Sequence, residues 1–389
     1  MKKIIALLLT VVMILGLCAC AGGSKAAETT TAAPETTTAA PETTTAAAPA
    51  ETTTTAAAAA AAGGLVGVAM PTKDLQRWNQ DGDNMKNQLE KAGYTVDLQY
   101  AANDIQTQVS QIENMISNGC KVLVIASIDG SSLGTVMAQA KEAGIAVIAY
   151  DRLIMDSDAV NYYATFDNLS VGVMQGQYIE EALDLKNAAG KTYNIEFVTG
   201  DPGDNNVNFF FGGSMSVLQP YLDSGVLKCP SGQTDKNAVA TAGWATDAAQ
   251  SRFENILASY YANGTQLDAV CASNDSTALG VENALASSYT NSVYPIITGQ
   301  DCDVANTKNI IAGKQAMSVF KDTRDLAAKT VEMVDAIMKG TNPPVNDTKT
   351  YDNGKGVVPS YLCQPKSCTK DNYKEILIDS GYYKEADLG

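Results

Sequence analysis

Ile145-Ala-Val-Ile-Ala-Tyr-Asp-Arg152 runs from an uninterrupted apolar segment straight into two opposite charges. Such a run reads as a strand buried on both faces, the habit of parallel sheets. Asp151 and Arg152 stand where that strand leaves the sheet, and ligands of open α/β sheets bind just outside the carboxyl ends of strands. A carboxylate beside a guanidinium offers acceptors and a fork of donors together, which suits a polyhydroxylated ligand. A salt-bridged loop is the plainer alternative.

The same pattern extends on both sides of this segment. Gly64 to Met70 reads as a strand, followed by a helix from Arg77-Trp78 to about Ala92, with Gly93 as its stop signal. Thr95 to Tyr100, Val122 to Ala126 and the opening segment are further strands, separated by helices over 105–118 and 131–143. Right-handed crossovers then dictate a parallel sheet with helices on both faces. The pattern restarts at Tyr162 to Phe166 and runs through strands near 194–199, 226–229, 269–272, 296–299 and 315–320. A long amphipathic helix to Met338 follows. The fold class is α/β, with two doubly wound parallel-sheet domains.

Lys2 and Lys3 precede an uncharged apolar run, Ile4 to Leu17, ending in Leu17-Cys-Ala-Cys20. This describes a secretory leader more than a spanning helix, and Leu-x-Ala-Cys resembles the lipobox of bacterial lipoproteins. Cys20 is then the lipidated amino terminus; an uncleaved anchor is the alternative, and either places the rest outside the cytoplasm. Residues 21–63 are almost entirely Ala, Thr, Pro and Glu, with Glu28-Thr-Thr-Thr-Ala-Ala-Pro34 repeated as Glu35 to Pro41. This composition cannot offset its ordering entropy and reads as an extended, disordered tether.

The formal charge of −16 argues against nucleic acid or anionic phospholipid as a partner. Histidine is absent, which removes Ser-His-Asp and Cys-His catalysis and every imidazole zinc site. No metal and no cofactor is expected. Cys120, Cys229, Cys271 and Cys302 lack paired spacing and read as core thiols. Cys363 and Cys368 flank Gln-Pro-Lys-Ser and could close a small surface disulfide.

A pyranose presents a belt of hydroxyls around two C–H faces. Its site needs carboxylates, amides and cations for the hydroxyls and an aromatic plate for a face. The strand ends supply Asp151, Arg152, Asp204, Asn206, Asn274, Asp301 and Lys321, and the plates are Trp78 and Trp244. Arg77, at the amino end of a helix, is opposed by the macrodipole, which favours a ligand role. Each has a plainer reading. Trp78 could be core, Asp204 or Asn206 could cap the next helix, and Lys321 could be merely solvated. Asp275 shares the capping ambiguity, while Asp167 and Asp303 read as structural.

From Gly64 onward the chain resembles the type I periplasmic sugar-binding proteins of ABC importers, and within them the ChvE-type multiple-sugar-binding receptors and the D-xylose-binding proteins. The resemblance rests on Met70-Pro-Thr-Lys73 with Arg77-Trp78, Ser110-Gln-Ile-Glu-Asn-Met115, Val122 to Gly130, Ala149-Tyr-Asp-Arg152 and Tyr163-Ala-Thr-Phe-Asp-Asn168. It continues in Asp204-Asn-Asn206, Gly299-Gln-Asp301, Phe320-Lys-Asp-Thr-Arg324, Asn346-Asp-Thr-Lys-Thr-Tyr351 and Val358-Pro-Ser-Tyr361. It implies ligand roles for Arg77, Asp151, Arg152, Asp204, Asn206, Trp244, Asp301 and Lys321, a weaker one for Asn274, and reach of Lys73 to a hydroxyl or uronate. It also implies three chain crossings between the domains, near Phe166–Asn168, Lys321 and Thr341–Asn346. The amino-terminal domain is then 64–168 plus 321–344, and the carboxyl-terminal domain 169–320 plus 345–389.

The expected protein is a monomeric, non-enzymatic receptor, anchored through Cys20 to the outer face of the cytoplasmic membrane. It passes monosaccharides to an ABC sugar permease, with a sensor kinase or chemoreceptor as a further partner. A secreted glycosidase using two of the carboxylates is the enzymatic rival. A sugar-responsive DNA-binding regulator would need a helix-turn-helix where this chain has a leader and tether.

Overall fold

The computed structural model describes residues 63–188 and 190–389; the leader, Cys20 and the tether through residue 62 lie outside the described residues. The first half alternates β1 (Leu65–Met70), α1 (Gln76–Lys91), β2 (Thr95–Tyr100), α2 (Ile105–Ser117), β3 (Val122–Ile125), α3 (Gly134–Glu142), β4 (Ala146–Tyr150) and β5 (Val160–Phe166). Alternate strand residues supply two separate cores. Val66, Val68, Val122, Val124 and Ile148 pack under α1, whereas Leu123, Ile125 and Val147 pack under α2 and α3. This is why the strands read as continuous apolar runs.

The second half contains α4 (Asn168–Ala182), β6 (Tyr193–Val198), α5 (Asn206–Asp223), β7 (Leu227–Lys228), α6 (Thr246–Ile256), β8 (Ala269–Ala272), α7 (Asp275–Ser288), β9 (Ile296–Ile297), α8 (Val304–Ala312) and β10 (Met317–Phe320). Then α9 (Thr323–Met338) packs back on α1, and β11 (Ser360–Cys363), β12 (Lys366–Thr369) and a short α10 (Glu385–Leu388) follow. The first sheet has the order β11-β5-β4-β3-β1-β2 and is parallel throughout. The second runs β7-β6-β8-β9. Backbone bonds from Ala316 to Ile297 (2.9 Å) and from Val319 to Gly299 (3.0 Å) set β10 alongside β9. Helices α4 and α5 approach so closely that a Cβ on Gly172 would lie 2.0 Å from the Phe210 carbonyl.

The domain assignment needs one correction. Residues 345–363 belong to the first sheet, not the second: β11 pairs with β5, and Tyr351 stacks edge-on against Tyr163 at 5.0 Å. The last crossing therefore falls at Gln364-Pro365, between β11 and β12, and not near Thr341–Asn346. The second sheet is parallel in all its strand pairs, and β12 adds an antiparallel pair to β10 at its side. Cys363 and Cys368, whose spacing left a disulfide open, are both free and buried. They flank the crossing, and each thiol points into the core of a different half.

Candidate functional site

Both sheets direct their strand ends toward a cleft lined by Arg77, Trp78, Asp151, Arg152, Asp204, Asn206, Trp244, Asn274, Asp301 and Lys321. Ten of the eleven expected ligand residues are thus brought together. Lys73 is not: it is exposed, 4.8 Å above the Tyr100 ring, and lines a different surface groove. It lies beyond the end of β1, before α1 turns Arg77 inward.

Asp151 is held at φ 57°, a left-handed conformation that a non-glycine residue keeps only when its surroundings impose it. Here its carbonyl accepts from the Tyr163 hydroxyl (2.5 Å), the Thr165 hydroxyl (3.0 Å) and Asn206 Nδ2 (2.8 Å). The carboxylate turns to Arg77 Nη2 (3.0 Å) and Lys321 Nζ (3.7 Å). Burial works to raise its pKa, but Arg77, Lys321 and Arg152 prevail and hold it below the usual range.

Arg77 is the hub of the charge network. It reaches Asp81 one turn along α1 (2.8 Å), Asp151, and Asp301 across the cleft (3.3 Å). Asp81 accepts a 2.5 Å bond from the Tyr150 hydroxyl, and burial lifts its pKa to about 6 against the pull of Arg77. Arg152 also spans the cleft, with Nε 3.1 Å from Asp204 Oδ2, while its Nη1 donates to the Ser127 and Ile128 carbonyls. Trp78 lies under both guanidinium carbons, 4.7 and 5.0 Å from its ring centroid. Its stacking surface therefore serves the arginines, and its 2% exposure makes it core as well as wall.

In the second half, Asp204 combines the capping and site readings. Its Oδ1 accepts from the Asn206 amide (3.0 Å) at the start of α5, and its Oδ2 accepts from Trp244 Nε1 (3.2 Å). Burial raises its pKa, with Arg152 opposing. Trp244 packs edge-on to Phe210 at 6.1 Å and lies over Gly200, where any Cβ would enter the ring. Asn274 caps α7: its Oδ1 accepts from the Thr277 amide (3.1 Å) and its Nδ2 donates to Ser276 (2.8 Å). Lys321, at the end of β10, reaches Asp301 at 3.1 Å beneath the rings of Phe166 and Phe210.

Sequence reasoning missed Asp303, Gln300, Ser276, Leu75 and Phe210, all of which line the cleft. Asp303, read as structural, is the most consequential. Its amide donates to Asp275 (2.8 Å), its Oδ1 is buried without a partner, and burial beside Asp301 lifts its pKa to about 7. The available signal was its place two residues beyond Asp301. Asp275 also exceeds a cap's role: it accepts from Gln315 (2.9 Å) and Ser318 (2.8 Å), and burial beside Asp303 pushes its pKa well up.

Residues 66–342 match the periplasmic binding protein domain, and the chain belongs to that family. A solved ABC-transporter solute-binding protein from Clostridium phytofermentans with bound β-D-glucose superposes with a TM-score of 0.82. It is 68% identical, with coverage of 84% of this chain and 100% of that one. The multiple sugar-binding periplasmic protein SbpA of Azospirillum brasilense is 52% identical, over 82% of this chain and 90% of its own. The multiple sugar-binding periplasmic receptor ChvE of Rhizobium radiobacter is 50% identical, over 84% and 92%.

Proposed function

We propose that the protein is an extracytoplasmic receptor that captures monosaccharides, principally aldopyranoses such as xylose, glucose, galactose and arabinose, by closure of its two halves. The observation that carries this reading is the interleaving of donors and acceptors from both halves: Arg77, Asp151 and Arg152 face Asp301, Lys321 and Asp204 within 3.1–3.7 Å. The relatives with glucose bound or named for multiple sugars support it.

Ion pairs between charged side chains of the two walls cross the centre of the cleft. A sugar ring enters as Arg77, Arg152 and Lys321 swing off their carboxylates, and its hydroxyls then bridge the separated charges. Closure is stabilised only by contacts stronger in the closed form than in the open one. The relatives are named as sugar-binding proteins, and by the same reading this protein is a binder and not a glycosidase. In this reading Cys20 carries the lipid anchor and the closed form delivers sugar to an ABC permease, or signals to a sensor kinase or chemoreceptor.

The test is thermal unfolding of the protein against monosaccharides, disaccharides, nucleosides and amino acids. Ligand at a hundred times its Kd stabilises by about 2.7 kcal/mol, which shifts the midpoint measurably. Aldopyranoses alone should raise it. A shift with another class and none with sugars would overturn the ligand assignment.

A further inference from the structure

Cys302 and Cys368 meet in one small core. Both are fully buried among Phe320, Leu377, Tyr383 and Leu388. The Cys302 amide donates to the Ser318 hydroxyl (3.1 Å), and its thiol lies 3.8 Å from the Ser318 carbonyl. Ser318 is in turn the ladder partner of Cys368 in the β10–β12 pair. Burial pushes the Cys302 thiol's pKa well up, and the Cys368 side chain beside it in the same cluster adds to the rise. Cys363 is only five positions from Cys368, but its side chain belongs to the other half's core.

We propose that Cys302 and Cys368 form a disulfide in the exported protein, tying the last strand to the loop that carries Asp301. Extracytoplasmic surroundings permit such bonds. One cysteine thiolate attacks the sulfur–sulfur bond of a small disulfide such as oxidised glutathione, expelling one glutathione thiolate and leaving a mixed disulfide. The second cysteine thiolate attacks the protein sulfur of that bond and expels the other glutathione. Two electrons and two protons pass from the pair to the glutathione disulfide, which ends as two thiols. Exchange precedes the docking of β12, because both thiols are afterwards closed to solvent and burial disfavours the Cys302 thiolate.

The crosslink has a local use. Asp301 and Cys302 hold successive positive φ values, 97° and 55°. Such backbone persists only when its surroundings over-determine it. A covalent tie at Cys302 fixes the turn that aims Asp301 at Arg77 and Lys321.

To test this, the full chain is exported, purified without reductant, unfolded in guanidinium with N-ethylmaleimide and mapped by peptide mass. Of the six cysteines among the described residues, four should be labelled, with the peptides of Cys302 and Cys368 joined. Reductant should expose all six. Cys363→Ser should keep the joined peptide, and Cys302→Ser should leave every remaining cysteine labelled. Reduction should also lower the thermal midpoint, by on the order of 5 °C for so long a closed loop. Six labelled cysteines, both as purified and after refolding with oxidised glutathione, would overturn the proposal. So would a bond between Cys363 and Cys368, and an unchanged midpoint would overturn the tie's stabilising role.

Discussion

The wall of the cleft built by the first sheet carries Arg77 and Arg152 against Asp151, with Asp81 buried behind Arg77. The opposite wall sets Lys321 against Asp204, Asp301 and Asp303, with Asp275 behind. One wall balances its own charges, whereas the other holds more acid than it can neutralise. The guanidiniums make up the difference by reaching across, Arg77 to Asp301 and Arg152 to Asp204. Under the proposed function, recognition and closure draw on the same side chains, and low-dielectric burial makes each contact count for more than it would on the surface.

That asymmetry can be broken most severely at Asp151, the acid that Arg77 and Lys321 share. Truncating one partner of a buried charge pair costs about 2–5 kcal/mol. Asp151→Ala should thus weaken sugar binding by on the order of a hundredfold or more in calorimetric titration. An affinity within threefold of the parent would mean that the first wall does not hold the ligand.

A smaller loss is expected from Trp244→Phe, which keeps a ring over Gly200 but deletes the donor to Asp204. One such bond to a charged group is worth about 1.5–3 kcal/mol, so affinity should fall roughly tenfold or somewhat more. Equal affinity would show that Arg152 and the Asn206 amide position Asp204 without Trp244.

Asp303 sharpens the comparison through pH. Its folded pKa of about 7 lies above the ordinary 3.8, so the folded protein binds this proton more tightly than the unfolded chain. Its stabilising contribution is complete below about pH 4 and is lost as pH rises through 7. Asp301 raises this pKa, while Arg77 and Lys321 lower it. Asp303→Asn should flatten the decline of the thermal midpoint between pH 5 and 8. A slope remains from Asp81, which is shifted in the same direction. Identical slopes in parent and variant would remove Asp303 from the unbalanced wall.

The smallest effect is expected at Lys73. It stands outside the cleft, so Lys73→Ala should leave sugar affinity within about twofold, as surface ion-pair energies imply. A larger loss, uronates included, would restore the role that its sequence neighbourhood suggested.

Much of the architecture was legible because buried parallel strands announce themselves as apolar runs, and helices as periodic segments closed by glycine. β11 and β12 escaped notice because Ser360-Tyr-Leu-Cys363 and Lys366-Ser-Cys-Thr369 are only four residues each, the second mostly polar, and gain their partners only from strands distant in the chain. Asp303 was hidden for a related reason. A carboxylate just before a helix reads as a cap, and only its burial beside Asp301 and Asp275 gives it another character.

By itself the sequence determined the α/β alternation, the clustering of polar residues at strand ends, and the absence of imidazole chemistry. These depend on local periodicity and composition, which a chain carries wherever it folds. Tertiary structure alone decided which wall each charge occupies, that Trp78 backs the arginines, that Lys73 stays outside, and which cysteines meet. Those outcomes depend on distances between residues as far apart as Arg77 and Asp301, or Cys302 and Cys368, and spacing along a chain does not encode such distances.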